Sequence, residues 1–442
     1  MKKEFNIIIC LLLINVYLVG QIPVSLTLEE VIQKSVANSP NLKKIGLNDQ
    51  KNQNELLAFN TNMKPKVDFE TQLGFNPVLP TQRIPDFISG DFTKTIPVQF
   101  GTFQNHQATL TASQVIYSKA IAAGKEALMK SFELNEFQSK KAKEDLIYNM
   151  TKIYFQVQNL KYQEETVLNS INQLEKLIEL SQAREKSGLG LGIDTDRLKL
   201  NRNNLLSQRE IIQSQEQSLV DIINVLIGQP FGTKIKFITK DYRNLDFTPN
   251  LNIADYKSTT LDLLDKQKEV IKTQIEATLA SNKPTIAGFG TLGGQMLGNG
   301  IPDLFKSDRY AYFLAFGLQV KVPIYDGKKN TYKANSSKID LLQVDEDKRL
   351  YIQGVEQQYL SAYQSYYANL KQLENQKESV ELARKIYNLT QDRYAQGITP
   401  LIDVIDAQKS LADAENNVQS TQLLILINKI DLTYFQGKIS QN

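Results

Sequence analysis

Two segments of this chain are too long and too regular for ordinary globular helices. Ser118 to Ser187 and Lys328 to Gln396 contain no proline and one glycine each. A continuous helix of roughly 70 residues would extend about 105 Å. Apolar residues recur every seven positions in both segments, which predicts coiled-coil packing against neighbouring helices. The repeating positions are Leu146, Ile153, Leu160, Val167 and Leu174 in the first segment and Ile352, Tyr359, Tyr366, Leu373, Val380, Tyr387 and Tyr394 in the second.

The two long segments belong to two similar halves of the chain. KPKVDFETQLGF (64–75) in the first half matches KPTIAGFGTLGG (283–294) in the second. At the ends of the long segments, four further identities share one constant offset, which indicates an internal two-fold repeat. The aligned pairs are Gln182 with Gln391, Arg184 with Arg393, Gly188 with Gly397, and Asp194 with Asp403.

Each half is predicted to contain a moderate helix, two strands, the long helix, a glycine-centred turn and a half-length return helix. In the first half, Thr27 and Glu30 predict a capping box at the start of the first helix, and Pro40 predicts a break in it. Repeat 1 covers residues 21–228, with strands at about 64–75 and 106–117, the long helix at 118–187 and the return helix at 194–228. An irregular equatorial segment, 229–256, precedes repeat 2 (257–442), with strands at about 284–294 and 310–322, the long helix at 328–396, the return helix at 401–435 and a tail.

The predicted strands alternate apolar and polar residues over about 10 positions, which is the length and pattern of a transmembrane β-strand. Phe69 and Leu73, for example, alternate with Asp68, Glu70 and Gln72. Four strands cannot close into a barrel, and an open sheet edge cannot lie in lipid. Closure therefore requires several chains: two would give a filled eight-stranded barrel, and three a twelve-stranded barrel with a lumen. The Pro-, Gly- and Asn-rich stretches 76–105 and 295–309 are interpreted as extracellular loops.

The composition disfavours several functional classes. The 51 basic and 48 acidic residues nearly cancel, so the chain lacks the basic character of nucleic-acid-binding proteins. His106 is the only histidine, Cys10 is the only cysteine, and no catalytic or phosphate-binding motif occurs. We therefore expect no enzymatic activity, no cofactor and no metal site. Residues 1–20 have the pattern of a secretory signal peptide, with two lysines ahead of an apolar run that contains Cys10.

These features together resemble the TolC-like outer membrane efflux proteins, or outer membrane factors. The resemblance extends from about Leu26 to Tyr434. Its most specific parts are the duplicated order of elements, the turns at Gly188 and Gly397, and the segment LIDVIDAQ (401–408). It implies an α+β membrane protein in which a long coiled-coil α-helical barrel crosses the periplasm. The four strands of each chain would contribute to a trimeric, twelve-stranded transmembrane β-barrel in outer-membrane lipid.

The resemblance also implies a function and partners. The homotrimer would be a passive conduit from the periplasm to the exterior, in a tripartite efflux or type I secretion system. It would open on docking to a periplasmic adaptor (a membrane fusion protein) and an inner-membrane pump. The exposed turns, with Gly188, Gly190, Gly192 and Gly397, are predicted to contact the adaptor.

Two acids are singled out by this resemblance. Asp403 and Asp406 are three residues apart, so they should project from the same helix face. They match the aperture aspartates of the family, and three copies would form two carboxylate rings around one axis. The alternative is that they are ordinary acids that complement the dipole at a helix start.

A latch that holds the tip closed is implied for residues near the same turns. Tyr394 and Asp194 match latch positions of the family. The family's basic residue two positions after Gly397 is replaced here by Thr399. The latch is therefore expected to be weaker, or to use one of the arginines Arg184, Arg197 or Arg393.

The sequence also allows other interpretations. A periplasmic coiled-coil adaptor or structural protein with a small soluble β domain would also combine long helices with alternating strands. It would have one long hairpin rather than two equal repeats. A hydrolase or other enzyme is disfavoured by the missing motifs. The exported substrate could be a drug, a metal or a protein.

Overall fold

The computed structural model describes residues 24–238 and 258–439. The predicted signal peptide and most of the predicted equatorial segment lie outside the described residues, as do residues 440–442. The chain divides into two compact units, and each takes pieces from both predicted repeats. The first unit comprises the described parts of Met1–Asn48, Asn135–Leu264 and Asp347–Asn442, and the second comprises Asp49–Leu134 and Asp265–Glu346.

Helices make up most of the described chain. Helix α1 (Leu28–Asn38) begins at the predicted capping box, where the Thr27 hydroxyl accepts a hydrogen bond from Glu30 N (3.2 Å). It ends where Pro40, which has no N–H, begins a separate helix. No helix within residues 24–238 or 258–439 is both long and apolar enough to cross a membrane. The later helices are α2 (Pro40–Asn60), α3 (Lys119–Lys186), α4 (Gly192–Ile227), α5 (Thr259–Ala280), α6 (Lys329–Ala395) and α7 (Leu401–Phe435).

Seven of the twelve heptad positions of α3 and α6 are buried in the first unit, and the other five are half-buried. Leu174 of α3, Leu198 of α4, Tyr387 of α6 and Val404 of α7 belong to one buried cluster. Full burial of a side chain of this size stabilises a fold by about 1.5–3 kcal/mol. The cluster therefore joins the α3–α4 hairpin to the α6–α7 hairpin.

A second cluster in the first unit surrounds two very short strands. β1 (Val24–Leu26) pairs in parallel with β6 (Ile235–Phe237). Tyr154 of α3 packs against this pair, and its hydroxyl donates to Ile238 O at 2.8 Å. Neither strand was predicted from the sequence. Each is three residues long, and the two are far apart in the sequence, one at the start of the first repeat and the other in the predicted equatorial segment.

The end of α7 is fixed to α3 by polar groups, which we call the tyrosine clamp. Two tyrosine rings, one from each helix, stack with their centroids 4.2 Å apart. On each side of the stack, a carboxylate accepts hydrogen bonds from a phenol and an ammonium group. The clamp consists of Lys141, Asp145, Tyr148 and Lys152 on α3, with Asp431 and Tyr434 on α7.

The second unit contains a four-stranded antiparallel sheet. Its strands, in their order across the sheet, are β2 (Lys66–Phe75), β5 (Gln104–Ser118), β7 (Thr285–Gly298) and β8 (Tyr310–Lys321). Two strands of the first half therefore lie beside two strands of the second half, and β2 and β8 form the edges. Their observed positions overlap the four predicted strands, although β5 and β7 are longer than expected.

The two faces of this sheet differ in polarity. The register aligns Phe69, Leu110, Leu292 and Leu314 across one face. The neighbouring row, on the opposite face, contains small or polar residues. The apolar face is uncovered in the single chain, where Phe69, Leu314 and Phe316 are 69%, 71% and 84% exposed. The neighbouring row consists of Asp68, Thr111, Thr291 and Ala315.

The stretch 76–105, interpreted from sequence as a loop, contains a β-hairpin. Strand β3 (Thr81–Asp86) pairs antiparallel with β4 (Asp91–Gln99). The loop interpretation was wrong here because Pro85 and Pro97 lie inside the strands. Proline is tolerated in a two-stranded hairpin, where each strand has one side without a partner strand. The other predicted loop, 295–309, begins as the last residues of β7 and continues in short 3-10 turns.

We expect the tyrosine clamp to lose its contribution to stability in alkali. Burial and the hydrogen bond to Asp145 raise the pKa of Tyr434, and burial and Asp431 raise the pKa of Tyr148. A phenol whose folded-state pKa is raised stabilises the fold below its unfolded pKa, about 10, and the contribution is lost above it. Thermal melting followed by circular dichroism should therefore show a falling midpoint above about pH 10.

The variant Tyr434→Phe separates this effect from general alkaline unfolding. It should melt at a lower temperature at pH 8, because a hydrogen bond to a charged group contributes about 1.5–3 kcal/mol. Its melting temperature should then fall less than that of the wild type as pH rises. Tyr332→Phe, at a position 65% exposed, is the matched control. An equal fall of the melting temperature in alkali for Tyr434→Phe and the wild type would contradict the prediction.

Candidate functional site

The two glycine-centred turns end α3 and α6 with the same backbone motif. In each, the glycine N–H bonds to the carbonyl three residues earlier, and the next N–H bonds to the carbonyl five residues before it, at 2.9–3.0 Å. Gly188 and Gly397 have φ values of 72° and 78°. This left-handed conformation costs a residue with a Cβ roughly 1–2 kcal/mol, so glycine is strongly favoured at both positions.

The first turn folds back closely against the end of α3. A Cβ on Gly190 would lie 3.1 Å from Arg184 Cβ, and one on Gly192 would lie 2.9 Å from Glu185 Oε1. These glycines were predicted to be docking residues, but the exposed apolar side chains between and beside them were not predicted from the sequence. These are Leu189 (73% exposed), Leu191 (68%) and Ile193 (56%) at the first turn, and Ile398 (59%) at the second.

Arg184 connects the two hairpins. Its Nη1 donates to Tyr394 O (2.6 Å) and Ala395 O (3.2 Å) at the end of α6, and its Nη2 donates to Leu189 O (3.2 Å). Its guanidinium carbon also lies 5.1 Å from the centroid of the Tyr394 ring. A cation is favourable at this position because the last carbonyls of a helix carry partial negative charge. The structure therefore brings together two of the predicted latch residues, Arg184 and Tyr394.

The other predicted latch residues are placed differently. Asp194 lies half-buried in the first turn of α4, and its carboxylate has no hydrogen-bonding or ionic partner within the described ranges. The neighbouring Thr195 makes the contact instead. Its hydroxyl donates to Glu185 Oε2 (3.2 Å) and lies 3.1 Å from Ser181 Oγ. This link between α3 and α4 was not predicted, because neither a threonine nor a serine in a helix signals a partner on another helix.

Asp403 and Asp406 are both exposed near the start of α7. The Thr399 hydroxyl donates a hydrogen bond to Asp403 Oδ2 at 2.6 Å, so Thr399 binds the Asp403 carboxylate. Both acids and Arg393 line one groove of about 660 Å³. The apolar part of the groove is formed by α6, with Leu382, Ile386 and Leu389 each more than half exposed.

This groove combines three charged groups with an uncovered apolar surface. Arg393 is exposed and does not repeat the role of Arg184, although the two arginines align in the predicted repeat. An acid pair beside one guanidinium leaves an excess of negative charge, which attracts cations at short range in water. The arrangement offers electrostatic contacts rather than a catalytic pair.

Comparison with known proteins gives a consistent result at low sequence identity. The family model described as outer membrane efflux protein matches residues 258–438. The outer membrane protein TolC of Vibrio cholerae is 19% identical over 342 residues, covering 76% of this chain and 77% of that protein.

Solved structures share the fold over nearly the whole chain. The structure of CusC superimposes with a TM-score of 0.70 at 14% identity, covering 92% of this chain and 91% of CusC. The outer membrane protein VceC of Vibrio cholerae gives a TM-score of 0.68 at 16% identity, covering 93% and 96%. Both likenesses concern the arrangement of helices and strands.

We predict that Arg184→Ala loosens the second turn. Removing its hydrogen bonds should raise amide exchange at Gly397 and Ile398 by about 10-fold, since hydrogen bonds to charged groups contribute about 1.5–3 kcal/mol and local opening follows local stability. Hydrogen exchange with mass spectrometry measures this. Arg209→Ala, which removes an ion pair with Glu164 between α3 and α4, is the control and should leave the turn unchanged. Unaltered exchange in Arg184→Ala would show that the turn is held by its own backbone motif.

Proposed function

Because the comparisons indicate an outer membrane efflux protein of the TolC type, we propose that three copies of this chain form a passive channel-tunnel from the periplasm to the cell exterior. The four-stranded sheet is the observation that carries the proposal. Its edge strands β2 and β8 leave backbone groups without a partner strand, and its faces differ in polarity. Three sheets joined at these edges would make a twelve-stranded barrel with its apolar face in outer-membrane lipid and its polar face towards the lumen.

The hairpins α3–α4 and α6–α7 of three chains would form the periplasmic tunnel. Within one chain the two hairpins already pack side by side through the cluster around Leu174 and Val404. Apolar side chains remain exposed on α4 and α6, and isolated chains rarely leave such stripes in water. Contact with the next chain would cover them. They include Leu200, Ile211 and Ile222 on α4 and Leu382, Ile386 and Leu389 on α6.

In this assembly the acid groove would lie at the constriction of the tunnel. Asp403 and Asp406 are exposed near the start of α7, close in sequence to the turn at Gly397. Three copies would present six carboxylates around the axis, and charged rings of this kind select cations. Arg184 would hold the two turns of one chain together when the tip is closed.

Opening would follow from docking at the turns. Leu189 and Ile398 expose apolar surface beside Gly188 and Gly397, and apolar residues rimmed by polar ones mark interaction sites. We assign this surface to the helical tip of a periplasmic adaptor, which would link the channel to an inner-membrane pump. The exported substrate is not specified by any residue described here.

The proposal is tested by electrophysiology on purified protein. Native mass measurement in detergent should first give a mass of three chains, and a stable monomer with intact strands would contradict the assembly. In planar bilayers the trimer should prefer cations, and a trivalent cation such as hexaamminecobalt(III) should block it. High salt should weaken the block, because the Debye length shrinks from about 10 Å at 0.1 M to about 3 Å at 1 M.

The two carboxylates are proposed to form the constriction. The double variant Asp403→Ala and Asp406→Ala should therefore weaken the block by the trivalent cation by about 10-fold or more. Asp196→Ala is the matched control, since Asp196 is also exposed in the first turns of a return helix, α4. Its block should equal that of the wild type. The same block in the double variant and the wild type would show that both aspartates are ordinary acids at a helix start.

The docking surface is tested in cells by co-purification of the adaptor and pump with a tagged channel. Changing Leu189 and Ile398 together to serine should abolish co-purification while native mass still gives the trimer, because apolar contacts at the centre of an interface dominate its stability. The control Val78→Ser removes an apolar side chain of the second unit that is 86% exposed, and it should have no effect. Normal co-purification of the double variant would show that the docking site lies elsewhere.

A further inference from the structure

The hairpin β3–β4 ends in a rigid, apolar tip, which we define as Phe87, Ile88 and Phe92. These side chains are 65%, 90% and 66% exposed. The rings of Phe87 and Phe92 meet edge to face with centroids 5.6 Å apart. The tip therefore presents three apolar side chains that no other part of the described chain covers.

The turn that carries this surface is held by one carboxylate. Asp86 Oδ1 accepts hydrogen bonds from Ile88 N and Ser89 N, both at 3.0 Å, and its Oδ2 accepts one from the Ser89 hydroxyl at 2.6 Å. The Ser89 contacts lower the pKa of Asp86, so the carboxylate stays ionised and the turn stays fixed at neutral pH. Gly90, with φ of 71°, completes the turn. A preformed turn loses little conformational entropy when its apolar residues find a partner.

The hairpin is also electrically neutral. Within 81–99, Arg83 and Lys94 balance Asp86 and Asp91. Binding to an anionic lipid surface is driven by apolar area together with clustered lysines and arginines, and this hairpin lacks the excess of positive charge. Neutral apolar surfaces instead favour association with one another.

We propose that the three hairpins of the trimer meet through their tips and close the outer mouth of the channel. The inference rests on the proposed function, because it requires three copies around one axis. The occupant of each tip is then a second copy of this chain.

The dimensions allow this contact. Twelve strands about 4.8 Å apart and tilted by about 40° enclose a barrel with a radius of about 12 Å. The six residues of β3 extend about 20 Å at about 3.3 Å each. A hairpin rooted at the rim therefore reaches the axis, where the three copies of Ile88 would replace water contacts with apolar ones.

Disulfide trapping tests this contact directly. Cys10 is the only cysteine in the chain and lies in the predicted signal peptide. Ile88→Cys and the control Val78→Cys introduce single thiols at positions 90% and 86% exposed, one at the tip and one before the hairpin. A disulfide requires Cα atoms within about 7 Å. Oxidation of intact outer membranes should convert Ile88→Cys, but not Val78→Cys, into two-chain species.

Conductance provides an independent measurement. Changing Phe87 and Ile88 to serine should raise the single-channel conductance at least two-fold while native mass still gives three chains. If the trimer forms but Ile88→Cys remains uncrosslinked and reacts freely with a maleimide, the tips do not meet and the inference fails. Quenching of a fluorophore at residue 88 by lipid-borne spin labels would overturn it in favour of lipid insertion. A one-chain mass in the unmodified protein would instead refute the proposed trimer, and the inference with it.

Discussion

The free edges of the four-stranded sheet constrain the rest of the molecule. β2 and β8 each have one side without a partner strand, and hydrocarbon offers no substitute for the missing hydrogen bonds. In water the same edges would invite aggregation. The uncovered apolar face makes a monomer in water still less favourable. An assembly that joins β2 of one chain to β8 of the next satisfies both requirements, and three such joins leave room for a lumen.

The helical unit is held differently at its two ends. The tyrosine clamp fixes the end of α7 to α3 with two carboxylates, two lysines and a ring stack. Near the start of α7, the main polar link between the hairpins is Arg184, which contacts carbonyls rather than a carboxylate. One end of the return helix is thus anchored more firmly than the other, as the proposed opening at the tip would require.

The sequence predicted the features that depend on local chemistry. The long helices begin and end one residue inside the predicted bounds, because proline exclusion and heptad spacing are properties of the segment itself. The turns at Gly188 and Gly397 could be predicted because glycine is favoured in the left-handed backbone conformation that ends a helix. The family resemblance is confirmed by the comparisons. The hairpin β3–β4 was missed because its prolines resemble those of a loop. The β1–β6 pair, the tyrosine clamp and the carbonyl partners of Arg184 were missed because the contacting groups are far apart in sequence. The latch roles of Asp194 and Arg393 remain predictions.

The two aligned arginines have diverged in a way that affects the electric field of the tip. Arg184 is used to bind backbone, whereas Arg393 stands in the groove beside Asp403 and Asp406. In the proposed trimer each chain would bring two carboxylates and one guanidinium to the periplasmic tip. The guanidinium would offset half of the negative charge of the carboxylates. Two carboxylates and one guanidinium leave an excess of one negative charge per chain, and a neutral residue in place of Arg393 would double that excess. The duplicated half thus retains a position at which evolution can adjust ionic preference without altering the fold.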